Sequence, residues 1–190
     1  MEHKAEFQEL VLSDLDSVYS YALTLAGTRS EADDLLQETL LRAFQAFGSY
    51  KRHLSFKVWL FKIMKNAHID RERRRRVRQP GDHWKGQQEL GEEGTKEVLP
   101  YPVPLNPEEL LLRRLSIEEV REAIRRLPCM LREVVELRDI QGLSYQKIAE
   151  VIDKPIGTVM SRLYRGRNLL RSMLQESSGE EVKSRGAYGV

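Results

Sequence analysis

Cysteine occurs once in the 190 residues, at Cys129, so no disulfide can close within the chain and no cysteine-rich zinc cluster can form. Long apolar runs are missing as well. No stretch approaches the roughly 20 residues that a membrane-spanning helix needs, and the opening MEHKAEFQEL is too acidic and polar for a secretory leader. His53 and His68 stand apart from other metal-ligating residues, so neither a metal nor a cofactor is expected. Together these absences predict a reduced, cytoplasmic protein without membrane insertion. What is present is 41% hydrophobic and 32% charged residues, enough apolar content for a folded chain and enough charge for surface-rich helices.

The formal net charge of +2 conceals a strong segregation. Residues 1–49 are acidic, with nine acidic and three basic side chains, whereas residues 50–78 hold eleven basic and two acidic ones. Residues 79–111 return to excess acid, and residues 154–171 contain five basic side chains and no acid. Two basic islands in an otherwise neutral or acidic chain read as two footprints for a polyanion. Within the first island the run IDRERRRRVR (69–78) fits, by composition alone, a transport signal, a disordered tail or one wall of a nucleic-acid site.

Apolar periodicity predicts helices almost throughout. Val18, Tyr21, Ala22 and Leu25 mark a first helix from about Leu12. A second, with Ser30 as its N-cap, turns Leu36, Leu40, Ala43, Phe44 and Phe47 to the core and ends at Gly48. A third packs through Phe56, Trp59, Leu60 and Ile63 and runs on into the arginines. Residues 79–106, rich in Gly, Pro and acid, read as a flexible acidic linker. Beyond it, Ile117, Val120, Ile124 and Leu127 share a face, Ser116 and Glu119 are placed for a capping box, and Leu131, Val134, Val135 and Leu137 follow Pro128. The expected architecture is all-α: a helical domain over 1–78, the linker, a second helical domain over 107–174 and a polar tail over 175–190.

The stretch LSYQKIAEVIDKPIGTVMSRLYRGRNLLR (143–171) has the pattern of a helix-turn-helix. Ser144 caps a helix with Tyr145, Ile148, Ala149 and Ile152 on one face, Asp153 and Lys154 form the turn, and Pro155 suits the first position of the next helix. That helix is expected to bury Ile156, Val159 and Leu163 and to present Gly157, Thr158, Ser161, Arg162 and Arg165. Small and hydroxylated residues followed by arginines are what a recognition helix needs in the major groove.

Two motif blocks in this order resemble the bacterial RNA polymerase sigma factors of the extracytoplasmic-function class. EADDLLQETLLRAF with FKVWLFKIMKNAHIDRERRRR is similar to their region 2, and SYQKIAEVIDKPIGTVMSRLYRGR to their region 4. The resemblance implies a subunit without chemistry of its own that binds core RNA polymerase and directs it to promoters. It implies that Asp34, Gln37, Glu38 and Leu41 dock on the β′ clamp, and that the second domain meets the β flap. It also implies that Tyr50, Lys57 and Asn66 read the −10 element, with Arg71, Arg73, Arg74, Arg75 and Arg76 on promoter phosphates. For the −35 element it implies Thr158, Met160, Ser161, Arg162, Tyr164 and Arg165. Met160 stands where members of this class often have arginine, and methionine cannot make a bidentate contact to guanine. An anti-sigma protein is a further expected partner.

Two other readings use parts of the same sequence. A helix-turn-helix regulator acting without polymerase accounts for 143–171 but not for the polar stripe of DDLLQE or the arginine helix. A serine recombinase requires an activated serine among clustered arginines, which residues 1–78 do not offer.

Overall fold

The computed structural model describes residues 2–78 and 117–185. Helix α1 spans Glu2–Ala26, α2 Arg29–Ala46 and α3 Phe56–Arg78, with a 3-10 turn at Phe47–Ser49. The second half comprises α4 (Ile117–Arg126), α5 (Cys129–Val135), a π-helical segment (Glu136–Ile140), α6 (Tyr145–Ile152) and α7 (Ile156–Arg185). No strand occurs among the described residues. The predicted linker, Ser116 of the predicted capping box and the side chains after Gln175 lie outside the described residues.

The first helix begins ten residues before the expected Leu12 because its early turns have something to hold. Phe7 meets the rings of Phe44, Phe47 and Phe56 at centroid distances of 5.4, 5.2 and 6.0 Å. Gly27, at φ 84°, then breaks the helix in a conformation other residues resist, and Thr28 caps α2 by accepting from the backbone N–H of Glu31. The cap is thus Thr28, not Ser30. The core face of α2 also differs from expectation: Ala32, Leu35, Thr39 and Ala43 are buried, Leu36 and Leu40 only half-buried, and Phe44 is exposed. Thr39 tolerates burial because its hydroxyl donates to Leu35 O at 2.7 Å.

In the second half Ala123 of α4 and Leu127 just beyond its end are buried, with Val120 and Ile124 half-buried. Ser144 caps α6 as expected, accepting from Lys147 N, and Asp153 turns the chain in a left-handed conformation at φ 53°. Pro155 sits just before α7 instead of at its first position. Ile156 is 41% exposed, against the expectation of burial, whereas Val159 and Leu163 are buried. α7 crosses α5 closely at Gly166, where a Cβ would lie 2.9 Å from Val135 Cγ2.

The halves are not independent. One apolar cluster extends from Phe7 through Phe61 and Met64 to Ile148 and Leu163, and α3 packs directly on α6. A polar seam accompanies it. Glu133, only 2% exposed, accepts from Tyr21 Oη at 2.8 Å and lies 2.8 Å from Lys65 Nζ. Glu136 accepts from Ser20 Oγ at 2.7 Å and from Gln141 Nε2 at 2.9 Å. Burial, and then the charge of Glu133, push the Tyr21 hydroxyl well above its ordinary range, so it remains a donor. Partly buried His68 lies in the same electrostatic environment: burial first and Lys65 next hold its pKa below 6.5, and it stays neutral at neutral pH.

Two consequences are measurable. Gly166→Ala gains up to about 1 kcal/mol of helix propensity but forces α7 off Val135 at a cost of about 1–3 kcal/mol. Chemical denaturation should therefore show net destabilisation, and unchanged stability would mean the crossing is looser than described. Lys65→Met strips the cation from the buried Glu133 and should cost about 3 kcal/mol in the same assay.

Candidate functional site

Burial of Ala32, Leu35, Thr39 and Ala43 fixes what α2 shows to solvent. Asp34, Gln37, Leu41 and Phe44 follow one another at helical spacing along its outer face, Leu41 being 60% and Phe44 47% exposed. Phe44 was assigned to the core by its spacing from Leu40. Its membership of the outer stripe was visible only in the seven-residue interval from Gln37.

Glu38, one residue off that stripe, behaves differently. Its carboxylate receives Arg42 Nη2 at 2.6 Å, Arg71 Nε at 2.5 Å and Arg74 Nη2 at 3.1 Å. Burial acts to raise its pKa, but the guanidinium of Arg71, followed by those of Arg74 and Arg42, outweighs this and holds the carboxyl below its ordinary 4.5. Arg42 is fixed a second time by Asp70 at 2.7 Å, and Arg75 lies 3.6 Å from Glu31. The family resemblance implies separate sites for Glu38 and the arginines, whereas the fold makes them one cluster across α2 and α3.

The arginine block therefore divides. Arg71, Arg74 and Arg75 lean over α2, Arg73 is exposed, and the side chain of Arg76 lies outside the described residues. On the outer face of α3, Trp59, Lys62, Asn66, Ile69 and Arg73 form a continuous stripe at helical intervals, all but half-buried Trp59 being exposed. Lys62 belongs to this stripe and was missed. Lys57 does not: its Nζ donates to Ser17 Oγ at 2.9 Å and lies 5.7 Å from the centre of the Phe61 ring, toward α1.

Tyr50 closes the aromatic end of the stripe. Its ring lies 5.1 Å from Trp59, 5.4 Å from Phe56 and 5.9 Å from Phe47, and its hydroxyl donates to Leu54 O at 2.6 Å. Burial raises the phenol pKa. The side chain is therefore held in the 51–54 turn and is not a freely mobile loop tyrosine. Asn66, seven residues beyond Trp59, is about 10.5 Å further along the helix at 1.5 Å per residue.

In α7, Met160 and Tyr164 are 46% and 49% exposed, Arg165 is exposed, and Thr158, Ser161 and Arg162 are half-buried. Ser161 Oγ donates to Thr158 O at 3.1 Å, which leaves its lone pairs available outward. Behind the helix Arg167 pairs with Asp139 at 2.5 Å, and Arg138 donates to Leu143 O while its guanidinium sits 4.9 Å from the Tyr145 ring. These two arginines brace the helix-turn-helix. No group of three or more metal-ligating side chains occurs among the described residues, and half-buried Cys129 is a free thiol.

Two family profiles cover most of the chain: Sigma-70 region 2 over residues 10–78 and Sigma-70, region 4 over residues 117–170. The chain is 35% identical to the ECF RNA polymerase sigma factor SigE of Mycolicibacterium smegmatis over 94% of its own length, and spans 65% of that relative. It is 30% identical to the RNA polymerase sigma-H factor of Pseudomonas aeruginosa, over 90% of this chain and 88% of the other. Among solved structures it is similar to the sigma factor RpoE from Bartonella quintana, determined in complex with the anti-sigma factor NepR. That match has 26% identity and a TM-score of 0.67 and covers 90% of this chain and 97% of that one. CnrH, at 23% identity and a TM-score of 0.58, shares the fold. From both profiles and these relatives, the chain belongs to the extracytoplasmic-function family of RNA polymerase sigma factors.

Proposed function

We propose that the protein is an alternative sigma factor that binds core RNA polymerase and directs it to promoters, one helical half reading the −10 element and the other the −35 element. The observation that carries this reading is the pairing of two separate exposed surfaces that carry basic side chains, the α3 stripe and the α7 face, with an exposed polar and apolar stripe on α2. A helix-turn-helix regulator acting alone has no use for the first and third of these.

In this reading Asp34, Gln37 and Leu41, with Phe44 beside them, dock on the β′ clamp, and Glu38 contributes from the edge of the stripe. The β flap is the proposed contact of the second half. Tyr50 and Trp59 offer an aromatic wall for an unstacked base, Asn66 and Lys62 offer polar contacts, and Arg73 leads the arginines onto phosphates. Arg71, Arg74, Arg75 and Arg76 complete that group. Lys57, turned toward α1, positions the helix instead of touching DNA. On α7, Ser161, Tyr164 and Arg165 are the proposed base-edge contacts of the −35 element, Thr158 and Arg162 approach the backbone, and Met160 makes an apolar contact in place of a guanine clamp.

The docked arrangement has a consequence for this mechanism. Elements named for positions 25 base pairs apart lie roughly 85 Å from each other on B-DNA, at about 3.4 Å per base pair. The two halves, docked here through α3 and α6, cannot place the α3 stripe and the α7 face on both elements without parting. The halves proposed to part are residues 1–78 and 107–174, joined through 79–106, with 175–190 as a tail. An anti-sigma protein is the proposed negative regulator, supported by the similarity to a sigma factor solved with one. The protein is proposed to act in the cytoplasm, where polymerase is, and to catalyse nothing itself. No helix among the described residues is long and apolar enough to cross a membrane.

Run-off transcription with purified core polymerase, on a pool of promoter fragments, tests this reading. Defined transcripts should appear only with the protein and fall at least tenfold when Gln37 and Leu41 are both changed to alanine. DNA binding by the protein alone, with no core-dependent transcript, would instead establish the regulator reading.

A further inference from the structure

We propose that Glu38 is a positioning residue that withholds Arg71 and Arg74 from DNA while the protein is free, and releases them when a basic surface of the polymerase takes over its carboxylate. The inference rests on the α2 and α3 roles proposed above and adds a coupling between them.

A carboxylate offers about four lone-pair sites, and Glu38 spends its two oxygens on three guanidinium groups. Of these, Arg42 has a second carboxylate in Asp70 and does not depend on Glu38. Arg71 and Arg74 do. Their other described acceptors are backbone carbonyls, Glu31 O at 3.4 Å and Asp70 O at 3.2 Å, which orient a guanidinium without neutralising it. Glu38 is therefore the charge partner described for both.

Carboxylate and phosphate compete for a guanidinium through the same donor geometry, so an arginine held by Glu38 is a weaker phosphate ligand. The arrangement is nevertheless reversible. The Arg71 and Arg74 side chains are 31% and 55% exposed, and ion pairs this accessible exchange readily. Glu38 adjoins the Asp34–Gln37–Leu41 stripe, so a partner seated on that stripe reaches the carboxylate. A cation supplied there would satisfy Glu38 and leave two arginines free beside the α3 stripe. Polymerase docking would then raise DNA affinity without moving a helix. Arg73, exposed on the α3 stripe, is the constitutive phosphate contact.

The test is equilibrium binding of the full chain, without polymerase, to a fluorescein-labelled single-stranded oligonucleotide of mixed sequence across a salt series. Glu38→Gln should bind on the order of tenfold more tightly at low salt. Its log–log salt dependence should steepen by up to about 1.4, at about 0.7 for each of two added phosphate contacts. Asp70→Asn removes the same charge from the same neighbourhood but frees neither arginine, and should leave the slope unchanged. The triple variant E38Q/R71Q/R74Q should return to the wild-type slope. If E38Q melts below the assay temperature, Glu38→Asp, which shortens the reach by one methylene, is read with the same expected sign. A slope for E38Q equal to that of the wild type or of D70N overturns the withholding role. The double variant R71Q/R74Q in run-off transcription separates the two levels of the argument. Loss of transcript there without a gain for E38Q removes only the coupling, and no loss removes the phosphate role on which it rests.

Discussion

Glu133 belongs to the second half of the chain, yet Tyr21 Oη and Lys65 Nζ, which satisfy its carboxylate, both belong to the first. A carboxylate buried this deeply and left without partners would carry a penalty of several kcal/mol. Folding of α5 against α7 thus creates a demand that only docking on α1 and α3 meets. Glu136 repeats the arrangement through Ser20. Apolar burial supplies most of the adhesion between the halves, but it is non-directional. The two carboxylates fix which faces meet, and so place α6 against α3 and leave the α3 stripe, the α2 stripe and the α7 face open to solvent.

Such a seam suits the parting of the halves proposed above. An apolar interface alone would resist opening and expose a sticky surface when it did. Charged and hydroxyl groups can instead be handed to water or to a partner when the halves separate. The Glu38 cluster applies the same physics on a smaller scale, with guanidinium groups kept in order by a carboxylate until a competing ion arrives.

Much of this was legible in the residues, and the failures have physical causes. The helix-turn-helix followed from Ser144, Asp153 and the spacing of Ile148, Ile152, Val159 and Leu163, because local capping and periodicity decide such a unit. The face of α2 did not, since DDLLQETLLRAF holds two leucine pairs and periodicity alone cannot choose between Leu36/Leu40 and Leu35/Thr39. The choice fell to a threonine whose hydroxyl is satisfied within the helix. Thr28 was passed over for Ser30, although Thr28 and Glu31 have capping-box spacing and their side chains meet at 3.0 Å. Glu133, Glu136 and Glu38 looked like ordinary solvated charges. Their partners are distant in sequence, Arg71 lying thirty-three residues from Glu38 and Tyr21 a hundred and twelve from Glu133, and no local pattern encodes such pairings.

One chain is proposed to serve two promoter elements by parting two halves that dock on each other when it is free. The most direct measurement is energy transfer between dyes at Glu9 on α1 and Glu150 on α6, both exposed, in a variant with Cys129 changed to serine. High transfer efficiency in the free protein that disappears in a transcription-competent complex with core polymerase and promoter DNA is the predicted result. Efficiency that stays high in that complex would contradict the account, because the halves would then be reading DNA while still docked.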